Sequence, residues 1–205
     1  MTEEETVVQQ MVVQQMVVQP LVPPGAATCT VTFTAIFTRI TATRHGMNGA
    51  TPDSLMLSPT DQFHLRRAYD EAVIGFDEGG CPIGSLLARG DVVLASGRNR
   101  RVQQGDPIAH GEMDALRRAG RQTTYRDTTL YTSLSPCMMC SGTIVQFGIP
   151  RVVIGENQNF GGNEDFLRER GVQVVIANDP GCIALMERFI REKPELWAED
   201  IAQQL

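Results

Sequence analysis

Apolar and polar positions along the chain change period repeatedly, and each change marks an element. Ser58-Pro59-Thr60-Asp61 supplies an N-cap, a proline at the first helical position and an acid three residues past the cap. Phe63, Ala68, Ala72 and Ile74 follow as a loose helical stripe, which Gly79-Gly80 ends. Two short apolar runs, 83–88 and 92–95, joined by Arg89-Gly90-Asp91, predict a β-hairpin. A polar loop over 97–107 leads to a helix from near Ala109 through Met113 and Leu116 to Gly120. Residues 128–132 predict a buried strand, and Pro136 opens a helix that stops at Gly148. The rest alternates: strand 151–155, helix 164–170, strand 172–177, helix 182–191 and a last helix from near Pro194. An opening hairpin followed by strand–helix alternation predicts an α/β domain whose mixed sheet is covered by helices on both faces.

Residues 1–57 carry no such pattern. Val7-Val8-Gln9-Gln10-Met11 recurs as Val12-Val13-Gln14-Gln15-Met16 and then decays, a period that fits no solenoid or propeller. A Pro-Pro-Gly break and a Thr-rich run follow, with strand character but no partner strand. The expectation is a low-complexity or disordered extension at 1–57 before a domain at 58–205, with Met47 as an alternative start. The acidic opening Met1-Thr2-Glu3-Glu4-Glu5 is wrong for a mitochondrial presequence.

Composition narrows the partners. The 205 residues are 42% hydrophobic and 20% charged, ordinary for one globular domain with spare chain. No run approaches the ~20 consecutive apolar residues of a membrane span. The net charge of −6 favours a small-molecule substrate over a phosphate backbone and argues against a nucleic-acid partner. Arg98, Arg100 and Arg101, and Arg117, Arg118 and Arg121, read as solvated loop and helix faces. Five cysteines, an odd number without a paired framework, point to a reducing compartment, hence the cytoplasm with the nucleus as a further location. Cys29, Cys81 and Cys182 read as buried packing residues, and His45 and His64 as packing or surface residues.

The chemistry concentrates in His110-Gly111-Glu112 and Ser135-Pro136-Cys137-Met138-Met139-Cys140. One imidazole and two thiolates make three protein ligands for a tetrahedral zinc and leave the fourth position open to water. Cys137 and Cys140 share a face at a helix start, where partial positive charge favours thiolates. A redox pair is the competing reading of Cys-x-x-Cys, but it needs no upstream His-x-Glu at a second helix start. Glu112, two residues past the metal histidine, is placed to move protons to and from the metal-bound water; otherwise it is a first-turn acid that complements the helix dipole.

His-x-Glu followed by Pro-Cys-x-x-Cys is the signature of zinc nucleobase deaminases. Five flanking blocks extend the likeness: Glu78-Gly79-Gly80-Cys81-Pro82-Ile83-Gly84, Asp127-Thr128-Thr129-Leu130-Tyr131-Thr132, Gly148-Ile149-Pro150-Arg151, Gly155-Glu156-Asn157-Gln158-Asn159-Phe160 and Trp197-Ala198-Glu199-Asp200. Over residues 61–201 the chain resembles the fungal-type cytosine deaminases of the cytidine deaminase-like superfamily. That resemblance implies a three-layer α/β/α fold with a five-stranded mixed sheet, a homodimer, and one Zn2+ per subunit on His110, Cys137 and Cys140. It implies attack of activated water on C4 of free cytosine, with Glu112 protonating N3 and then the departing amino group, as part of pyrimidine salvage. By the same resemblance Asn99 would bond the pyrimidine carbonyl and ring N–H, and the Gly111 N–H would add a contact. The Ser135 carbonyl would receive the amino group, and Asp200 would touch the base edge at the pocket mouth. Phe160, Trp197 and Ile83 would form apolar walls under a C-terminal lid. Read from the residues alone, Trp197 could anchor a terminal helix, Phe160 could be core and Asn99 a turn residue.

The chain departs from the family at Cys81, Met138 and Ala198, where an aliphatic, a polar and an aromatic residue are usual. Asp106-Pro107-Ile108-Ala109-His110 also resembles tRNA adenosine deaminases, so a flipped adenosine is the alternative substrate. A zinc-stabilised scaffold without activity is the reading from another class, against which the intact His110, Glu112, Cys137 and Cys140 argue.

Overall fold

The computed structural model describes residues 57–203, which hold seven helices and one five-stranded sheet. The repeat at 7–18, the Thr-rich run, Cys29, His45, Met47 and the expected boundary of an N-terminal extension lie outside the described residues. The elements in order are α1 Pro59–Asp77, β1 Gly84–Arg89, β2 Val92–Arg98, α2 Arg101–Gln104, α3 Gly111–Ala119, β3 Thr129–Leu134, α4 Met138–Phe147, β4 Arg151–Glu156, α5 Glu164–Glu169, β5 Gln173–Ile176, α6 Pro180–Glu192 and α7 Pro194–Asp200.

Strand order is β2-β1-β3-β4-β5. β1 runs antiparallel to both β2 and β3, while β3, β4 and β5 are parallel. Alternation along the strands divides the core. Leu87, Leu130, Val152 and Ile154 face one side, under Leu116 of α3, Ile144 of α4 and Leu167 of α5. Leu86, Ala88, Tyr131 and Val153 face the other, under Leu65 and Ala68 of α1. Met186 and Phe189 of α6 and Trp197 of α7 complete that second layer beside Ile83 and Leu134. The result is the expected three-layer α/β/α mixed-sheet fold.

Local signals explain the boundaries. Ser58 caps α1 by accepting from the Asp61 N–H at 3.1 Å, with Pro59 in the first turn. β1 and β2 meet at Arg89 and Val92 across Gly90-Asp91, and Gly90 takes the left-handed φ of +56° that the tight turn requires. At Gly84 a side chain would collide with the Ala68 carbonyl, so glycine there lets α1 lie directly on β1. Gly97 plays the same part between β2 and the backbone of α3 at Ala115.

Three expectations need correction. The helices expected from Ala109 and Pro136 begin at Gly111 and Met138, because His110 and Cys137 have extended backbone and serve as the N-caps. The polar loop contains a short helix, α2, too brief for periodicity to reveal. Arg98, Arg100 and Arg101 are not solvated faces: their side chains are only 12%, 17% and 12% exposed and are spent on Glu71 and Glu78, on Asp114, and on Glu199 and Asp200. Arg117 and Arg118 do remain half-exposed. Cys81, Cys182 and His64 are buried packing residues, as expected. No helix among the described residues is long and apolar enough to cross a membrane.

Candidate active site

The site gathers at the carboxyl ends of β3 and β4. Because β1 is antiparallel to β3, the residues that enter β1 lie at that same edge, and the end of β2 joins them through the pairing of Gly84 with Arg98. Ile83 leads into β1, Asn99 follows β2, Leu134-Ser135 end and follow β3, and Phe160 sits in the loop after β4. Open α/β sheets place their ligands at such an edge.

His110 and Cys137 are the N-caps of α3 and α4, and Cys140 lies one turn into α4. Two helix N-termini thereby converge. The ligand atoms of His110, Cys137 and Cys140 all lie within 4.8 Å of one another, and Cys137 Sγ is 3.5 Å from His110 Nδ1. Zn–S bonds of about 2.3 Å and Zn–N bonds of about 2.0 Å in tetrahedral geometry require separations of roughly 3.5–3.8 Å. The donor set therefore fits zinc in both distance and chemistry, with His110 offering Nδ1. The hydrogen bond between the cysteines presses the Cys137 thiol down to about 4, helped by His110, while Cys140 is pushed up. A divalent ion would take both sulfurs as thiolates and release the proton left on Cys140. His110 is itself raised: burial opposes this, but the bond to Cys137 and the charges of Glu112 and Asp200 outweigh it.

Glu112 is only 3% exposed. Its Oε2 accepts from Cys140 Sγ at 3.4 Å, and Thr132 Oγ1, which donates to the Leu134 carbonyl at 3.1 Å, stands 3.4 Å from its Oε1. Ser85 Oγ donates to Thr132 Oγ1 at 3.1 Å, so the hydroxyls of two adjacent strands stand behind the carboxyl. Burial raises the Glu112 carboxyl, and the neighbouring Cys137 adds to that. Between the first turn of α3 and the start of β1 there is no room for a side chain: a Cβ on Gly111 would stand 2.8 Å from the Ile83 carbonyl oxygen.

A cavity of about 220 Å³ opens onto these residues. Ile83, His110, Glu112, Ser135, Cys137, Phe160, Trp197 and Asp200 all line it, together with Leu134, Ile201 and Ala202. Phe160 and Trp197 meet edge to face, ring centroids 6.0 Å apart at 88°. Of the residues expected at the site, Cys140, Asn99 and Gly111 stand behind this lining rather than in it. Asn99 is fully buried, donating from Nδ2 to Asp200 Oδ1 at 3.3 Å and accepting at Oδ1 from the Arg101 N–H at 3.1 Å. These bonds use one of its two amide protons and one of the two lone pairs of Oδ1.

Sequence reasoning missed several contributors. Thr132 stands beside Glu112 with Ser85 behind it, and no spacing rule marks a hydroxyl on a strand as a neighbour of a carboxyl. Glu164 accepts from Ser135 Oγ at 2.9 Å, from Asn157 Nδ2 at 3.1 Å and from the Gly162 N–H at 3.2 Å, tying the loop that carries Phe160 to the end of β3. Arg101 bonds Asp200 and Glu199. Its place two residues after Asn99 in a loop of arginines gave no distinct signal.

A hydrolytic zinc deaminase is the class of enzyme that this fold and donor set define. The profile of the cytidine and deoxycytidylate deaminase zinc-binding region matches residues 58–156. The cytosine deaminase of Candida albicans is 52% identical over 146 residues, covering 70% of this chain and 97% of that protein. The tRNA-specific adenosine deaminase of Buchnera aphidicola subsp. Schizaphis graminum is 37% identical over 151 residues, covering 67% of this chain and 99% of the relative. Among solved structures, the guanine deaminase from Nitrosomonas europaea superposes with a TM-score of 0.55 at 20% identity, over 69% of this chain and 93% of that one. A structure from work on A-to-I editing by tRNA:A34 deaminases gives 0.55 at 24% identity, over 60% and 99%. These two likenesses speak to the fold alone. The chain belongs to the zinc-dependent cytidine and deoxycytidylate deaminase family and, within it, is a relative of the cytosine deaminases.

Proposed function

We propose that this chain hydrolyses free cytosine to uracil and ammonia. The observation that carries the reading is the cavity itself. At about 220 Å³ it is smaller than the ~300 Å³ at which ordinary ligand pockets begin, and it suits one planar base without its sugar. The likeness to the Candida albicans cytosine deaminase supports the same substrate. An adenosine within tRNA would need an open groove, whereas α7 with Trp197 stands across the mouth.

Zinc held by His110, Cys137 and Cys140 supplies a Lewis acid that lowers the pKa of a water to about 7. Glu112 moves the protons. It passes one from the attacking water to N3 of the base and the next to the amino group on C4, so that ammonia leaves as the carbonyl of uracil forms. Its buried place beside the cysteines and His110 puts the carboxyl in reach of both transfers. The spare amide proton and lone pair of Asn99 take the pyrimidine carbonyl and ring N–H. The Gly111 N–H adds a contact, the Ser135 carbonyl receives the amino group, and Asp200 meets the base edge. Ile83, Phe160 and Trp197 form the apolar walls.

The same proposal takes residues 58–205 as the catalytic unit and 1–57 as an extension outside it. It places the reaction in pyrimidine salvage, in the cytoplasm and the nucleus, by a homodimer with one zinc per subunit. The test is ammonia release from cytosine set against inosine formation in tRNA. Turnover of cytosine alone is expected; inosine formation without cytosine turnover would overturn the reading.

A further inference from the structure

α7 lines the cavity with Trp197 and Asp200, yet its seven residues make barely two turns, and an isolated helix of that length is not stable in water. Its position therefore depends on tertiary anchors. One is Trp197, buried against Phe160. The other is Arg101, the first residue of α2. Arg101 Nη1 donates to Asp200 Oδ1 at 2.6 Å and Nη2 to Glu199 Oε1 at 2.9 Å, so one guanidinium fork spans two consecutive residues of the last turn of α7. The Asp200 side chain is 5% exposed and that of Arg101 12%. The backbone N–H of Arg101 also holds Asn99 Oδ1, and Asn99 Nδ2 reaches the same Asp200 oxygen. Three hydrogen bonds close a ring through Asn99, Arg101 and Asp200.

We propose that Arg101 is a positioning residue that latches α7 over the base pocket. Asp200 lines the cavity and Arg101 does not, so Arg101 acts through its partners. It neutralises a buried carboxylate that would otherwise turn outward to water and carry α7 with it. It also fixes which way the Asn99 amide faces. The outer arm to Glu199, whose side chain is 64% exposed, adds direction more than strength. This inference rests on the cytosine reading for its kinetic arm and stands apart from that reading for its structural arm.

The test compares the parent chain with Arg101→Ala and Arg101→Lys, using cytosine kinetics, zinc content and acrylamide quenching of Trp197, the single tryptophan of the chain. Arg101→Ala is expected to raise KM about tenfold or more, with kcat within about threefold and zinc unchanged, because closure is lost while the metal site and Glu112 stay in place. Its Trp197 emission shifts to the red and quenches more readily. Arg101→Lys, which keeps the charge but not the fork, falls between the two. A KM within about twofold of the parent and equal quenching in Arg101→Ala would overturn the latch. If Arg101→Ala fails to fold, Arg101→Lys decides by the same two readings, intermediate values supporting the latch and parent values overturning it. If the parent chain leaves cytosine untouched, the substrate reading fails, and the quenching comparison alone decides the latch.

Discussion

Glu112 is held where ionisation is disfavoured, in a buried corner between a thiol and a strand hydroxyl. A neutral amide fits that corner equally well. Glu112→Gln is therefore expected to keep one zinc per chain and a thermal midpoint no lower than the parent's, while cytosine turnover drops by a factor of about 10²–10⁴. Metal analysis, a melting curve and an absorbance assay on one preparation check all three. The cluster of His110, Cys137 and Cys140 with Glu112 beside it was legible in the sequence because zinc chemistry requires fixed residue types at fixed spacing. Arg101, Glu164 and Thr132 were not, since each earns its place through a contact made across the fold by a residue type common on any surface or strand.

At the start of α1, Asp61 ties the helix to β3 and β4. It receives Arg151 Nη1 at 2.7 Å and Nη2 at 2.9 Å, Tyr131 Oη at 2.9 Å and Ser58 Oγ at 2.8 Å. Burial alone would push its carboxyl up, but the bonds from Arg151, Ser58 and Tyr131 outweigh it and hold the group at about 2, below the ordinary 3.8. Because the folded value is the depressed one, the stabilisation is full above the unfolded value. It is lost as pH falls from about 4 toward about 2, a change on the order of 2 kcal/mol. Urea unfolding across that range should show the loss in the parent and a flatter profile in the Asp61→Asn, Arg151→Met double variant. An identical acid limb in both would rule the pair out as its source. Gly84→Ala is the packing counterpart. It pushes a methyl into the Ala68 carbonyl and should destabilise by about 3 kcal/mol through separation of α1 from β1. The elements themselves were legible from periodicity and caps. The starts of α3 at Gly111 and α4 at Met138 were placed two residues early, because extended N-cap backbone cannot be told from a first helical turn by pattern alone.

For the molecule as a whole, the sheet does one thing for function: it brings the loops after β2, β3 and β4 and the entry to β1 to a single edge. That convergence was foreseeable from strand–helix alternation, whereas the lid was expected only through the family resemblance, because α7 is too short for periodicity and is held by a contact made across the fold. Truncation before Pro194 should abolish most cytosine turnover while leaving zinc content near that of the parent. Equal loss of both would make α7 a folding element and not a lid. Intact-mass measurement of the native protein addresses the N-terminal segment: a mass that includes residues 1–46 would dismiss Met47 as the start. The most direct test of the central claim is zinc content and cytosine-to-uracil absorbance measured on the same purified sample. One zinc per chain with activity that disappears on chelation and returns with added zinc is the predicted result. A protein that turns over cytosine at full rate after complete metal removal, or holds its zinc and converts no nucleobase, would contradict it.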